Sequence, residues 1–182
     1  MSSIQRRIVV TGMGIVSPLG CGVQHVWQSL LAGKSGIRTL PESIVEDIAC
    51  KVAGRVPEIE DDPQHGFDPL SVIPAKDRKK MDRFIEFALV AAQEALHQAN
   101  WFPQEQASKD RTATIIATGI GGFNQIADAV QTTEHRGPRK LSPFTIPSFL
   151  ANLAARMVFV ALSAPLSPPV QPVLRLSAMR RG

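Results

Sequence analysis

Two cysteines and four histidines are the first candidates for a nucleophile, a base or a soft metal ligand in this chain of 182 residues. Cys21 lies in a Gly-Cys-Gly turn before a predicted helix, where backbone dipoles can lower a thiol pKa. No base stands near it in the sequence, so a small turn residue is the favoured interpretation. Cys50 falls in a predicted strand and is expected to pack as a small hydrophobic residue. The histidines lack partners at ligand or triad spacing, so we predict no catalytic residue, metal or cofactor among His25, His65, His97 and His135.

Two glycine clusters suggest phosphate-binding loops, but their spacing does not match that of the known phosphate-binding motifs. Gly12-x-Gly14 would need a third glycine at the position of Ser17, and the cluster at 119–122 has Asn124 at the equivalent place. Neither cluster is followed by the Gly-Lys-Ser/Thr of a nucleotide-binding loop. We therefore interpret both as tight turns or close approaches that a side chain would forbid.

The elements that would position these residues alternate between strand and helix. Residues 7–11 and 112–118 are β-branched or apolar runs that predict buried strands, and each leads through a glycine turn towards a helix. Apolar residues at spacings of three and four predict the helices, and a weaker pattern predicts one short strand. The helices cover about 23–32, with Gly33 as the cap, 79–99, 123–133 and 147–155; the short strand lies in 49–53. This order predicts an α/β fold with a largely parallel sheet layered with helices.

Composition and charge narrow the class of protein. With 44% hydrophobic and 20% charged residues, the chain has an ordinary globular composition. It has no apolar run long enough to span a membrane and no secretory signal, and two distant cysteines indicate a reducing, cytoplasmic setting. All 16 acidic residues precede residue 135, whereas 135–182 hold seven basic residues. These are scattered without a patterned face, so nucleic-acid binding is a minor alternative.

Four ordered blocks resemble the β-ketoacyl-ACP synthases, the elongating condensing enzymes of fatty acid synthesis. They are residues 7–20 (RIVVTGMGIVSPLG), 80–84 (KMDRF), 119–122 (GIGG) and 142–148 (SPFTIPS). The resemblance covers about residues 5–155 and is closest to the type II synthases that extend longer acyl chains. It implies the N-terminal half of a thiolase-like fold of two duplicated α/β halves, assembled as a homodimer. It also implies acyl carrier protein and malonyl-ACP as partners, in a decarboxylative Claisen condensation. Ile120 matches a family isoleucine at the acyl pocket, although core packing beside a glycine turn would explain it equally well.

The chain departs from this family at the catalytic residues. The family nucleophile is a cysteine in a Thr-Ala-Cys-Ala-type motif after the Ser-Pro-Phe block, and this sequence has no cysteine after Cys50. Both catalytic histidines of the family come from the second half. We therefore expect an inactive fragment. The alternative is a non-catalytic partner that dimerises with a full-length synthase through the faces of the predicted helices over 79–99 and 123–133.

The last residues suggest the origin of this departure. A synthase domain is predicted over 1–155, and 156–182 form an atypical tail rich in proline and arginine, which we expect to be disordered. Each codon can be rebuilt from the last base of the preceding codon and the first two bases of its own. In this neighbouring frame, the codons of residues 165–174 permit the sequence APVTACAAGV, with a cysteine at the position of Val170. We hypothesise a frameshift between about residues 155 and 164.

Overall fold

The computed structural model describes residues 7–163. Within this range, α-helices dominate, and each of the two small sheets is a pair of two-residue antiparallel strands. The elements in chain order are β1 (Val16–Ser17), β2 (Gly20–Cys21), α1 (Val23–Leu31), β3 (Arg38–Thr39), α2 (Glu42–Val45), β4 (Val52–Ala53), α3 (Ala75–Arg78), α4 (Arg83–Ala99), α5 (Gln106–Asp110), α6 (Phe123–Arg136), α7 (Thr145–Phe149) and α8 (Ala151–Ser163). Strand β1 pairs with β2, and β3 pairs with β4.

Helix α4 is the centre of the hydrophobic core. It begins after Asp82, whose carboxylate accepts a hydrogen bond from the Phe84 amide at 3.3 Å, and it ends at Asn100 in the left-handed conformation. Ile85 and Leu89 are buried on one side of it, where they join a cluster with Ile73 and Met81 and with the α8 residues Ala154, Val158 and Leu162. The predicted helix over 79–99 is confirmed, although residues 75–78 form the separate helix α3.

The backbone of residues 12–15 lies against a different side of α4. A Cβ on Gly12 would overlap the carbonyl oxygen of Ala95, and a Cβ on Gly14 would overlap that of Ala91. The glycines are needed here because helix backbone and chain backbone approach each other directly. The predicted close approach is confirmed, and α4 is covered by separate elements on two sides, as its apolar pattern indicates.

The two predicted buried strands are wrong in their hydrogen bonding and their burial. Residues 7–11 are exposed and belong to no ladder, and 112–118 are also unpaired among the described residues. In the second segment, Thr112, Thr114 and Ile116 are half-buried, whereas Ala113, Ile115 and Ala117 are exposed. This alternation is that of a strand with one covered side. Ile116 packs on the α4–α8 core. A buried strand needs neighbours along both edges and a layer on each face, and residues 7–163 supply a layer on one face only.

The other predicted elements are mostly confirmed, with shifted boundaries. Helix α1 ends before Gly33, which has a φ of +67° as a C-terminal glycine does, but Trp27, Leu30 and Leu31 on its predicted apolar face are exposed. Helix α6 extends to Arg136, so His135 lies in a helix and not in a loop. In the predicted strand over 49–53, β4 takes only the last two residues, and Cys50 is exposed before it.

Helix α8 runs through the predicted start of the atypical tail. The expected helix over 147–155 is two helices, because Leu150 is extended and separates α7 from α8. Helix α8 then continues to Ser163, and its Val158 and Leu162 are buried in the core. The expectation of disorder is therefore wrong for 156–163, and the remainder of that tail, 164–182, lies outside the described residues.

Replacing Gly14 by alanine tests the close approach of the chain to α4. We expect Gly14→Ala to lower the free energy of unfolding by roughly 1–3 kcal/mol, because the new methyl group meets helix backbone, which cannot rotate away. Urea unfolding followed by circular dichroism measures this change. Gly119→Ala is the control, since a Cβ there meets no atom within 4 Å, and a change below about 0.5 kcal/mol is expected. Equal effects of the two substitutions would contradict the packing argument.

Candidate functional site

Helix α4 holds the start of the chain through two polar side chains as well as through the glycine contacts. The carboxylate of Glu94 accepts hydrogen bonds from the amides of Ile15 (3.0 Å) and Val23 (2.7 Å), and the Gln98 side chain accepts one from the Met13 amide (2.6 Å). Val23 is the first residue of α1, so Glu94 satisfies an amide that the helix itself leaves unpaired. Sequence reasoning missed both residues; two polar positions four apart on one face of a largely apolar helix were the available signal.

A groove opens beside these contacts, between α1 and the end of α4. Its volume is about 720 Å³. The lining is mostly apolar, with two amide side chains among the residues Met13, Gly14, Ile15, Val23, Gln24, Val26, Trp27, Leu30 and Gln98. A second apolar cavity, of about 410 Å³, lies between α6 and α7 and is lined by side chains that include Ile126, Val130, Ile146 and Phe149. Neither space was predicted from the sequence.

Ile120 lies in the glycine turn that precedes α6. Its side chain is 83% exposed and lines neither of the two spaces. The glycines beside it are required, because a Cβ on Gly121 would lie 2.8 Å from the Phe84 ring and Gly122 has a φ of +73° against Phe149. The alternative that Ile120 packs in the core is wrong. Its assignment to an acyl pocket stays a prediction.

Cys21 is part of a cluster that only the fold assembles. Its amide donates a hydrogen bond to the His65 carbonyl at 2.7 Å, and the His65 ring stacks on His25 with centroids 3.6 Å apart. Burial, followed by the negative charges of Glu94, Glu58 and Asp62, raises the pKa of the Cys21 thiol to about 11. The expected lowering by helix dipoles is therefore outweighed. The thiol is protonated at neutral pH, which agrees with the structural interpretation of Cys21.

The remaining cysteine and histidines make local contacts. The Cys50 thiol is exposed and donates to the Val52 carbonyl at 3.3 Å. It does not pack as a small hydrophobic residue, because strand β4 begins only after it. His97 contacts Gln93 and the edge of Phe102, both local to the end of α4. Within residues 7–163, no group of three or more His, Cys, Asp or Glu side chains could hold a metal ion.

Basic residues are frequent in two segments, 76–80 and 136–140, each close in sequence to a contact between the start of α4 and α7. The Lys80 ammonium lies 5.8 Å from the ring centroid of Phe144, and the Asp82 amide bonds to the Ser148 carbonyl at 2.9 Å, so these two parts of the chain are neighbours. The basic surface is defined here as the seven lysine and arginine residues of segments 76–80 and 136–140: Lys76, Arg78, Lys79, Lys80, Arg136, Arg139 and Lys140. Asp77 is bonded to Lys80 at 2.7 Å, and Glu134 lies on α6 before Arg136.

Comparison with known families shows to which family the chain belongs. Residues 5–164 match the model of the N-terminal domain of β-ketoacyl synthases, which is most of the chain. This chain belongs to the β-ketoacyl synthase family. The resemblance of the four sequence blocks is thereby confirmed.

Comparison with individual synthases shows how much of a relative's length this chain covers. It is 42% identical over 155 residues to 3-oxoacyl-[acyl-carrier-protein] synthase 2 of Rhizobium meliloti, covering 85% of this chain and 37% of that protein. The mitochondrial synthase of Arabidopsis thaliana is 38% identical over 166 residues, covering 82% and 34%. This synthase chain thus spans little more than a third of the length of the curated relatives it matches.

Solved structures confirm the fold class. A β-ketoacyl synthase from Burkholderia phymatum superposes with a TM-score of 0.68 at 22% identity, covering 87% of this chain and 37% of the other. The ishigamide ketosynthase/chain length factor gives a TM-score of 0.64 at 23% identity, covering 86% and 37%. The predicted N-terminal half of a thiolase-like α/β fold is therefore confirmed, although its parallel ladder is not formed within residues 7–163. No helix in the described part of this synthase chain is long and apolar enough to cross a membrane.

The reactivity of the two thiols tests the environment of Cys21. At pH 7.5, a pKa of about 11 leaves roughly one thiol in three thousand ionised. We expect iodoacetamide to alkylate exposed Cys50 on the order of a hundredfold faster than Cys21, because the thiolate is the reacting form. The alkylation rate of Cys21 should then rise about tenfold per pH unit between pH 7.5 and 9.5.

Mass spectrometry of the Cys21→Ser and Cys50→Ser variants gives the two rates separately. A Cys21 rate that equals the Cys50 rate at pH 7.5, or one that levels off below pH 8, would contradict the raised pKa.

Proposed function

We propose that this chain is the N-terminal portion of a 3-oxoacyl-ACP synthase of fatty acid biosynthesis and that these 182 residues do not catalyse condensation by themselves. The observation that carries the first part is the family match over residues 5–164, supported by the 42% identity to the Rhizobium meliloti synthase. In that reaction an acyl group moves from a carrier thioester to an enzyme thiol. Malonyl thioester then loses carbon dioxide, and the resulting carbanion attacks the enzyme-bound thioester and releases the thiol.

The state of the two cysteines supports the second part of the proposal. Acyl transfer needs a thiolate close to a general base or a positive dipole, and the Cys21 thiol is half-buried near three carboxylates that raise its pKa. Cys50 is exposed, and its thiol donates a hydrogen bond to the backbone carbonyl of Val52, not to a base. The cysteine that the family places after the Ser-Pro-Phe block is absent from the 182 residues.

The basic surface supports a carrier protein as the partner. One structural neighbour is a ketosynthase in complex with its type II acyl-carrier protein, with a TM-score of 0.62 over 85% of this chain. Of the basic surface, Lys76, Lys79, Arg136, Arg139 and Lys140 are exposed. Charge complementarity then requires an acidic surface on the carrier. We place Ile120 at the acyl end of the same encounter, in the turn that leads into α6.

A non-catalytic partner of a full-length synthase is the second candidate function. Helix α6 favours it, because none of its residues is buried and Phe123, Ile126 and Val130 expose apolar side chains. The family's homodimer offers a place for such a chain. Sequence reasoning also named α4 as a dimer face, but α4 is covered by α8 and by residues 12–15. The synthase proposal also includes malonyl-ACP as co-substrate, a dimer and a cytoplasmic location.

The domain boundary and the frameshift belong to the proposal as well. A synthase domain over 1–155 that is followed by out-of-frame codons would explain why the codons of residues 165–174, read in the neighbouring frame, permit a cysteine motif. The nucleotide sequence over codons 150–182 decides this. A neighbouring frame without the cysteine motif would remove the frameshift hypothesis.

Acyl transfer to the purified chain is the direct test of the proposed function. We expect no covalent acyl-enzyme and no turnover of malonyl thioester when the 182-residue chain is incubated with labelled acyl-ACP, because neither thiol is activated. Intact-mass analysis and label retention measure this, with the full-length Rhizobium meliloti synthase as the positive control. Stoichiometric acylation of Cys21 or Cys50 would contradict the proposal.

Charge reversal tests the carrier docking surface. We expect Lys79→Glu and Arg139→Glu each to weaken binding of acyl carrier protein on the order of threefold, since an exposed ion pair contributes up to about 1 kcal/mol. The loss should shrink as salt rises to about 1 M, where such charges are screened. Surface plasmon resonance measures the affinities, with Arg38→Glu on β3 as an exposed control of the same charge change. Unchanged affinity in both variants would contradict carrier docking on this surface.

A further inference from the structure

Arg78 is the member of the basic surface whose charge is turned towards the protein. Its Nε and Nη2 atoms donate hydrogen bonds to the two carboxylate oxygens of Glu86, at 2.7 Å and 3.2 Å. Arg78 lies on α3 and Glu86 on α4, so this bidentate ion pair joins the two helices. Glu86 is only 5% exposed, and a buried carboxylate that loses its partner is strongly destabilising.

Carboxylates also surround Arg78 on its remaining sides. A cavity of about 330 Å³ is lined by Arg78 together with Glu58, Glu60 and Asp68. The hydrogen bond with Glu86 raises the pKa of Arg78, and the nearby charge of Glu58 adds to this effect. An acidic partner that approached this guanidinium would therefore meet negative charges of the chain itself, which repel it.

The Arg78–Glu86 pair is also the polar contact that fixes the orientation of α3. This helix has four residues and no side-chain hydrogen bond at its N-terminal cap, Pro74, so it is too short to be stable by itself. The buried side chains of Ile73 and Met81 anchor the chain before and after it. Two anchors at the ends hold α3 in place, and the ion pair sets its rotation about its own axis.

That rotation decides where the lysines of α3 point. Successive residues of a helix are about 100° apart, so Lys76 faces about 160° away from Arg78 and Lys79 about 100° to one side. Their burial agrees with this geometry, because Lys76 and Lys79 are exposed and Arg78 is half-buried. Within residues 7–163, neither lysine ammonium forms an ion pair, so both are available to an acidic surface.

We propose that Glu86 is a positioning residue for the carrier protein. Through its ion pair with Arg78, it holds α3 in the orientation that presents Lys76 and Lys79 to an acidic carrier, and Arg78 itself does not contact the carrier. This inference rests on the carrier docking proposed above and assigns different roles to basic residues that are neighbours in the sequence.

Neutral substitution of the pair tests the proposal by surface plasmon resonance with acyl carrier protein. We expect Arg78→Gln and Glu86→Gln each to weaken binding on the order of tenfold, because two lysine contacts of about threefold each lose their orientation. Arg78→Gln combined with Glu86→Gln should bind within about twofold of the unsubstituted chain. The glutamine nitrogen is as many bonds from the backbone as the arginine Nε, so two amides can restore a hydrogen bond without a buried charge. A combined variant as weak as Arg78→Gln alone would show direct contact by Arg78 and would overturn the proposal.

A double-mutant cycle tests whether Arg78 acts through the lysines. In a chain that already carries Lys76→Gln and Lys79→Gln, Arg78→Gln should weaken binding less than about twofold further, because the groups that it positions are gone. A further tenfold loss in that background would overturn the proposal.

Arg83→Gln is the matched control, because Arg83 is also an ion-paired arginine of this region and its partner, Glu58, lies outside segments 76–80. We expect carrier affinity to be unchanged in this variant. Equal losses in Arg83→Gln and Arg78→Gln would overturn the proposal, since any loosening of this region would then have the same effect. Arg78→Gln that lowers stability in urea but leaves affinity unchanged would also overturn it. No binding by the unsubstituted chain would remove carrier docking and this proposal together, whereas the other contrary outcomes remove this one alone.

Discussion

The contact between helix α4 and the backbone of residues 12–15 is the constraint on which the rest of this structure depends. Gly12 and Gly14 let the two backbones meet without intervening side chains. Glu94 and Gln98 then bind the amides that this approach would otherwise leave unpaired in a partly buried place. Because Glu94 also binds the first amide of α1, one carboxylate sets the position of the β1–β2 hairpin and of the helix that follows it.

The same arrangement explains why the pKa of the Cys21 thiol is raised. The turn that carries Cys21 is held by Glu94 on one side and by the loop containing Glu58 and Asp62 on the other. Both supports bring carboxylates, so the environment that orders this turn also disfavours a thiolate. A glycine–cysteine turn before a helix suggests activation when only its neighbours in sequence are considered. Here one of the surrounding carboxylates, that of Glu94, binds the first amide of α1 and so contributes to packing.

In the described part of the fold, helices cover the extended segments unevenly. Helices α4 and α8 cover one side of residues 112–118 through Ile116, while Ile115 and residues 7–11 remain exposed. Two structural neighbours superpose on 86–87% of this chain. Within residues 7–163, exposed apolar side chains and amides without hydrogen bonds therefore occur in the same segments, 8–11 and 113–118.

The sequence by itself determined helices α1, α4 and α6, the need for glycine near residues 12–14 and 119–122, and the family. These depend on local spacing: Asp82 caps α4, Gly33 follows α1, and the four motif blocks are contiguous in the chain. Only the tertiary structure decided that residues 7–11 and 112–118 are unpaired, that Ile120 is exposed, that Cys50 does not pack and that Cys21 is protonated. Strand pairing, burial and pKa depend on groups far away in the sequence, such as Glu94 beside Cys21, and a pattern of neighbouring residues does not contain those distances.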